Sequence, residues 1–573
     1  MPSTDTTANT VSNTGKRVVV IGTGIGGVGI AARLSTLGYS VTVVEKNDFA
    51  GGRCSLIHKD GFRFDQGPSM LLMPFTFEEI YRDLDVKIED YLDIKKCETN
   101  YKIHFSDNDS ITLSSDMAAM NRELERIEKG SFKGFLNFMI EAKYNHDTSF
   151  SMMMKFPVTL ELMPNFAFLN ARWELFTLQN AIAGYKLKVL SSLWGRVSAH
   201  FKSDKLRKAF TFQSMYMGMS PYDAPGSYSL LSYSEVADGI SYPIGGFNKV
   251  ITTLETIAKS RGATFKYSCP VKTINIHAET KMSTGVTLES GETINADIVV
   301  CNQDLVTAYN TLLPSSPYAQ TLRAKNQTCS TISFYWGLKR KLPADNFHGH
   351  NVFLAQDYKP SFDSIFQNHT LPNIPSFYIH VPSRIDPSCA PDGGETLVVL
   401  VPTGILIDGT SEETVEKLTN RARDFVIKTI QARIPGCMDF ENWIASETIN
   451  TPFTWEKKFG LWKGSALGLS HEIMQVIYMR PSMRHAEYGN CFFVGASTHP
   501  GTGVPVVLCG TKILENEIVQ IDKLGKGFAH QKIFGVVGYE QGVTATILVA
   551  FLAILVAIVR VAVGPASISS FYI

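Results

Sequence analysis

The sequence predicts an α/β fold: a doubly wound parallel-sheet domain built from discontinuous segments, joined to an α+β domain. Three observations carry this reading. The β-branched run Val18–Ile21 opens into Gly22-x-Gly24-x-x-Gly27, and a helix-like stretch with Ala31, Ala32 and Leu34 ends at Gly38 before a second strand, Val41–Val44. Two further apolar strands occur far along the chain, Ala296–Asn302 and Cys491–Val494, the latter entering the glycine-rich loop Gly495–Pro505. Finally, 573 residues exceed what one hydrophobic core accommodates.

The first βαβ unit has a specific chemistry. Gly22 permits the tight turn, Gly24 lets a pyrophosphate approach the backbone, and Gly27 lets helix and strand pack closely. The helix N-terminus directs unbonded N–H groups and its positive dipole end at phosphate. Glu45, at the end of the second strand, suits a ribose diol. A lone G-x-G-x-x-G needs only a turn; strand, helix and terminal acid together specify a dinucleotide site. After Glu45 the chain continues through Gly51-Gly52-Arg53-Cys54 to Phe64-Asp65-Gln66-Gly67-Pro68-Ser69. The glycine pair and the arginine suit a loop laid against a second phosphate, although an ordinary turn also uses such glycines. This stretch resembles the family of FAD-dependent amine oxidases, protoporphyrinogen oxidases and phytoene desaturases, and the resemblance implies FAD.

Lys+Arg and Asp+Glu number 54 each, so net charge offers no whole-chain argument for nucleic-acid binding. The nine cysteines are scattered without a C-x-x-C pair and read as buried, reduced thiols in a cytosol-facing protein. Residues 1–15 are Ser/Thr/Asn-rich and show no targeting pattern, which suits a disordered lead-in.

Two stretches suggest a bilayer. Val543 to Val559 carries no charge, and with Arg560 snorkelling the segment 543–563 approaches the roughly 20 residues that cross hydrocarbon. A Gly/Lys linker, Leu524–Gly527, separates it from the last α/β motif. The expectation is a single-pass C-terminal helix, a catalytic body in the cytosol, membrane lipid as a partner and the endoplasmic reticulum as the membrane. Between Arg172 and Met219, aromatic residues such as Trp194, Phe201, Phe210 and Phe212 alternate with eight basic residues opposed only by Glu174 and Asp204. That pattern fits either a helix lying on an anionic bilayer or a helical subdomain with its own aromatic core.

Between these regions, Lys249–Ser260 has helical spacing, and Thr264–Tyr267, Val271–Ile276 and Gly285–Leu288 read as short strands. Residues 325–470 read as strands and turns, including Ser330–Trp336 and Thr396–Val401. A helix is expected from near Val506, its N-terminus offering backbone donors to a flavin edge or a pyrophosphate.

Taken in order, VVVIGTGIGGVGIAARL, VVEKNDFAGGRC, FDQGPS, FTFQSMYMGMSPYDAP, YPIGGFNKV, ADIVVCNQDL and FFVGASTHPGTGVP resemble the phytoene desaturases of bacterial and fungal type, most of all the fungal branch. The resemblance covers about residues 17 to 520. It implies FAD-dependent introduction of successive double bonds into phytoene, giving carotenes such as neurosporene, lycopene or 3,4-didehydrolycopene. It also implies that Gly22, Gly24, Gly27, Glu45, Gly52, Arg53, Gly495, Gly503 and Val504 bind the flavin, with His499 and Pro500 beside it. The implied domains are a FAD-binding domain (16–100, 235–310 and 475–522), a substrate and membrane-facing domain (101–234 and 311–474) and the tail at 543–563.

Phytoene is a hydrocarbon with no polar group to grip, so the protein must supply an apolar channel and a proton acceptor while the flavin takes hydride. Asp65, Glu161, Asp223 and His499 are candidate acceptors, and the sequence does not choose among them. No metal motif occurs, oxygen or quinone would reoxidise the flavin, and homo-oligomers are compatible with the sequence. Two other readings share the fingerprint: a flavin amine oxidase, and a non-catalytic prenyl-protein escort that has lost the flavin.

Overall fold

The computed structural model describes residues 15–155, 187–188, 191–472, 475–476 and 480–523. Residues 1–14, Glu161 and the expected membrane tail at 543–563 lie outside the described residues. A five-stranded sheet forms the first layer, in the order Cys491–Phe493, Ile298–Cys301, Arg17–Ile21, Ser40–Val44, Thr264–Lys266. All four pairings are parallel. Such a sheet is covered on both faces, which explains the unbroken apolar run at Val18–Ile21. Val18 and Val20 pack toward the helices Ile25–Thr36, Asn248–Ser260 and Val504–Lys523, whereas Val19 and Ile21 face Val286, Leu305 and Phe493 on the other side. The last helix begins at Val504, two residues ahead of the expected start.

A seven-stranded mixed sheet forms the second unit. Its order is Ile444–Asn450, Ser330–Leu338, Glu395–Thr403, Phe377–His380, His350–Phe353, Tyr101–His104, Ser110–Leu113. One face, with Phe334, Trp336, Val399 and Ile379, packs on the helix Glu412–Arg433. The sequence reading assigned strands and turns to this region. Its signals were nonetheless present: Ser411 caps the helix by accepting from Thr414 N at 3.1 Å, and Val415, Ala422, Val426 and Ile430 lie buried along it. Tyr335, Val398, Tyr378 and His380 share the opposite sheet face. That face meets the hairpin Leu56–Lys59/Phe62–Asp65 through Phe62 and Phe64.

The helices Met117–Ile127, Ser131–Lys155, Leu193–Ser198, Asp204–Ala209 and Gln213–Tyr216 form a third body. Here the structure corrects the lipid-facing reading of the basic, aromatic stretch, over its described part. Phe201, Phe210 and Phe212 are 1%, 1% and 3% exposed and stack within this body's own core. Several of its cations are also paired: Lys205 with Asp107 and Asp109 at 2.6 and 2.7 Å, and Arg196 with Glu141 at 2.6 Å. Among the described residues, no helix is long and apolar enough to cross a membrane. All nine cysteines are free thiols, buried except for the partly exposed Cys269.

Candidate functional site

The strand order reverses around Arg17–Ile21: the strand Ser40–Val44 lies on one side and Ile298–Cys301 on the other, both parallel to it. Open α/β sheets bind ligands at such a switch point, outside the carboxyl ends of the strands. The glycine turn sits there. Gly22 has φ +92°, its N–H donates to Val44 O at 2.7 Å, and Gly24 caps the helix Ile25–Thr36. A Cβ at Gly27 would stand 1.9 Å from Gly22 O, so helix and turn touch through bare backbone. Gly51 pairs with Gly24, and its N–H donates to Thr23 O at 3.1 Å. A Cβ at Gly52 would come 3.7 Å from the Gly24 Cα. Arg53 follows and donates to Ala466 O at 2.6 Å.

Glu45 is buried at the end of its strand, and all its acceptor sites face donors of this chain. Thr23 N and Oγ1 both donate to Oε2 at 2.8 Å, while Asn47 N and Nδ2 donate to Oε1 at 3.0 and 2.9 Å. Glu45 thus ties the glycine turn to the loop after the second strand, and a ribose diol would share or displace the Thr23 or Asn47 side-chain donor.

On the other side of the switch point stands Asn302, which the sequence reading did not assign. Its amide donates to Val494 O at 3.0 Å and accepts from Gly24 N at 3.3 Å. Cβ atoms at Gly24 and Gly495 would lie 2.6 and 3.4 Å from that amide. Asn302 therefore joins the fingerprint turn to the C-terminal glycine loop. Gly495 and Gly503 have φ +143° and +99°, and a Cβ at Gly503 would meet nothing within 4 Å. Val507, in the first turn of the last helix, would stand 3.1 Å from a Cβ at Gly26, so two helix N-termini converge on one groove. His499 and Pro500 fold back along the same helix: His499 N donates to Pro481 O at 3.0 Å, and Pro500 lies against Gly510.

Arg480 was likewise missed. It is 1% exposed and donates to Leu469 O (3.2 Å), Ser470 O (2.9 Å), Ala496 O and Thr498 O (3.4 Å). One guanidinium thereby fastens the C-terminal loop to the 469–470 segment. Of the acceptor candidates, Asp65 is buried, accepts from Tyr242 Oη and from Phe247 N at 2.7 Å, and is pushed up to about 6 by burial. Its bonds are those of a structural anchor, and Asp223 is exposed at the surface.

A glycine-lined groove across the carboxyl ends of a parallel sheet, faced by a second domain, defines a flavoprotein oxidoreductase. The chain belongs to the flavin containing amine oxidoreductase family, whose pattern matches residues 25–508, and within it to the phytoene desaturases. It is 49% identical to a phytoene desaturase of Phycomyces blakesleeanus, over 88% of this chain and 85% of that protein. Identity to a phytoene desaturase of Fusarium fujikuroi is 45%, over 91% and 92%. In fold it is similar to a putrescine oxidase solved with putrescine, at a TM-score of 0.57 and 13% identity, over 88% and 99% of the two chains.

The cofactor is FAD, and the groove fits it: bare backbone at Gly22, Gly24 and Gly52 leaves room where Cβ atoms would intrude. Glu45→Ala is expected to weaken FAD binding by about 1–3 kcal/mol, because a buried diol and the Thr23 and Asn47 donors lose their acceptor. The holo fraction at limiting FAD should fall, and saturating FAD should restore part of it. A titration that matches wild type would remove Glu45 from the site.

Proposed function

We propose that this chain is an FAD-dependent desaturase that introduces successive double bonds into phytoene to give coloured carotenes. The observation that carries the reading is its 49% and 45% identity, over about nine-tenths of its length, to proteins named phytoene desaturase. In this reading Gly22, Gly24 and Gly27 receive the pyrophosphate, Glu45 the ribose, Gly52 and Arg53 the second phosphate. Gly495, His499, Pro500, Gly503 and Val504 border the flavin end. The bound flavin supplies the hydride acceptor. The chain's own residues order the hydrocarbon, exclude water and take up the proton. A small, partly open apolar cleft lined by Met215, Met219, Phe362, Ile365 and Phe366 presents surface of the kind a hydrocarbon chain needs.

Expression in a phytoene-accumulating host tests the function. Extracted pigment should absorb at longer wavelength than phytoene, each added double bond lengthening the chromophore. Phytoene left unchanged by a FAD-loaded protein would overturn the reading. The number of steps then follows from the spectrum, and reoxidation by oxygen or by a quinone from anaerobic assays.

We also propose that 543–563 anchors the protein in the endoplasmic reticulum membrane with the body in the cytosol. A hydrocarbon span holds against salt, whereas a surface contact made by charge does not. Full-length protein should stay with membranes in high salt, and a chain ending at Lys523 should be released. Full-length protein in the high-salt supernatant would exclude the anchor.

A further inference from the structure

One segment of the second domain lies across the glycine groove of the first. The helix Pro452–Phe459 follows the edge strand Ile444–Asn450 and is capped by Thr451. Trp455 seats it on its own sheet, the indole Nε1 donating to Thr331 O at 2.9 Å. The far end of the helix reaches the flavin domain. Lys46 Nζ donates to Lys457 O at 3.3 Å, and Thr307 Oγ1 donates to Gly460 O at 2.9 Å. A Cβ at Gly460 would lie 3.4 Å from Gln303 Nε2 and 3.6 Å from Lys46 Nζ.

These contacts fall on both flanks of the switch point. Lys46 follows Glu45 beyond the strand Ser40–Val44, and Gln303 follows Asn302 beyond Ile298–Cys301. Arg17–Ile21 and its glycine turn stand between them. Strands two places apart in a sheet are about 10 Å from each other, a gap that one residue with neighbours on both sides can bridge. Residues 457–460 therefore close over the groove between the two strand ends.

The charge at this crossing has the sign that a diphosphate needs. A helix carries the negative end of its dipole at its carboxyl terminus, which by itself would repel an anion. Three lysines surround that end. Lys457 is drawn aside by its ion pair with Glu412, whereas Lys46, exposed, and Lys458, half-buried, form no salt bridge among the described residues. Lys458 Nζ donates to Gln66 Oε1 at 3.3 Å and stands 5.0 Å from the centre of the Phe49 ring. Gln66 Nε2 donates to Ser55 Oγ at 2.6 Å, and Ser55 Oγ to Gly52 O at 2.6 Å, so Lys458 is tied to the Gly51–Gly52 loop. An ammonium has three N–H groups, and these bonds use one of each, which leaves donors for an anion. Burial lowers the Lys458 pKa and Asp48 only partly offsets it, so a further anion would stabilise the charged form.

We infer that residues 457–460 form a clasp over the ADP half of FAD, and that Lys46 and Lys458 bind its diphosphate; this rests on the reading of the glycine groove as the pyrophosphate site. The glycine turn offers backbone dipoles and Arg53 a single cation, against the two negative charges of the diphosphate. Lys46 and Lys458 complete the neutralisation from the open side of the groove and reverse the sign of the helix end. Thr307 and Gly460 position the clasp. The second domain thereby contributes to cofactor binding as well as facing the substrate.

The test uses full-length protein stripped of FAD and titrated with ADP and with adenosine, which differ only in the diphosphate. Wild-type protein should bind ADP more tightly than adenosine. Lys46→Gln and Lys458→Gln should each weaken ADP binding about fivefold, and together about 20-fold, while adenosine binding stays within about twofold of wild type. Lys46→Arg and Lys458→Arg keep the charge and should restore most of the ADP affinity. Added salt should weaken ADP binding more in wild type than in the double variant. Should the double variant fail to fold, the single variants carry the same comparison. A clasp that acts by packing alone would lose ADP and adenosine equally. That result, or wild-type ADP affinity in the variants, would overturn the assignment of the two lysines while the groove reading stands. Wild-type protein that binds ADP no better than adenosine would overturn both.

Discussion

Gly27→Ala is expected to yield a colourless protein of reduced stability. The new Cβ would stand 1.9 Å from Gly22 O and 3.1 Å from its carbonyl carbon. That carbonyl cannot retreat, because Gly22 N–H is bonded to Val44 O and its φ of +92° leaves few alternative turns. The helix Ile25–Thr36 would have to lift off the sheet, widening the gap at Gly26, where the Val494 and Val507 side chains leave no room even for a Cβ. Overpacking of this kind costs about 3 kcal/mol or more. Both the melting temperature and the flavin absorbance of the purified protein should therefore fall. Gly24→Ala provides the contrast. Its Cβ meets only the Asn302 amide, which can turn aside at the loss of its bonds to Val494 O and Gly24 N, so the apo-protein should lose less stability than Gly27→Ala while FAD is lost. A yellow Gly27→Ala protein with an unchanged melting temperature would sink the cradle geometry.

Arg480→Met should be nearly as damaging, for an electrostatic reason. The side chains are of similar length, so packing is largely kept, but the carbonyls of Leu469, Ser470, Ala496 and Thr498 lose a shared donor inside the protein. Buried unsatisfied acceptors cost about 1–3 kcal/mol each, and partial hydration brings the expected loss to about 3 kcal/mol or more. The C-terminal glycine loop should also loosen, raising the Kd for FAD. Arg480→Lys should rescue little, because an ammonium cannot span the directions that the planar guanidinium serves. Denaturant unfolding of the FAD-free proteins measures the first effect and FAD titration the second. Wild-type values for Arg480→Met in both would show that the loops hold without it.

The first βαβ unit was legible because its physics is local. Within about 30 residues, apolar runs specify strands, glycines supply conformations and close approaches that other residues cannot, and a terminal acid marks the second strand. The strands at Ile298–Cys301 and Cys491–Phe493 and the glycine loop after Phe493 were readable for the same reason. The helix Glu412–Arg433 carried an equally local signal, a serine cap and helical spacing, obscured by the strand-rich residues around it.

Only the tertiary structure decided which charges meet and which polar groups share a site. The basic excess near residues 196–208 looked uncompensated because Asp107, Asp109 and Glu141, which pair with Lys205 and Arg196, lie on other elements. The same excess had suggested a lipid surface, yet its phenylalanines complete a core with Phe135 and Phe138. Asn302 joins Gly24 to Val494, Arg480 bridges two loops, and Ser69, Tyr378 and His350 align from three separate segments. A single side chain's pattern is set by its chain neighbours, and those the sequence displays. A hydrogen bond between distant segments depends on strand order and loop closure, which arise from the packing of the whole molecule.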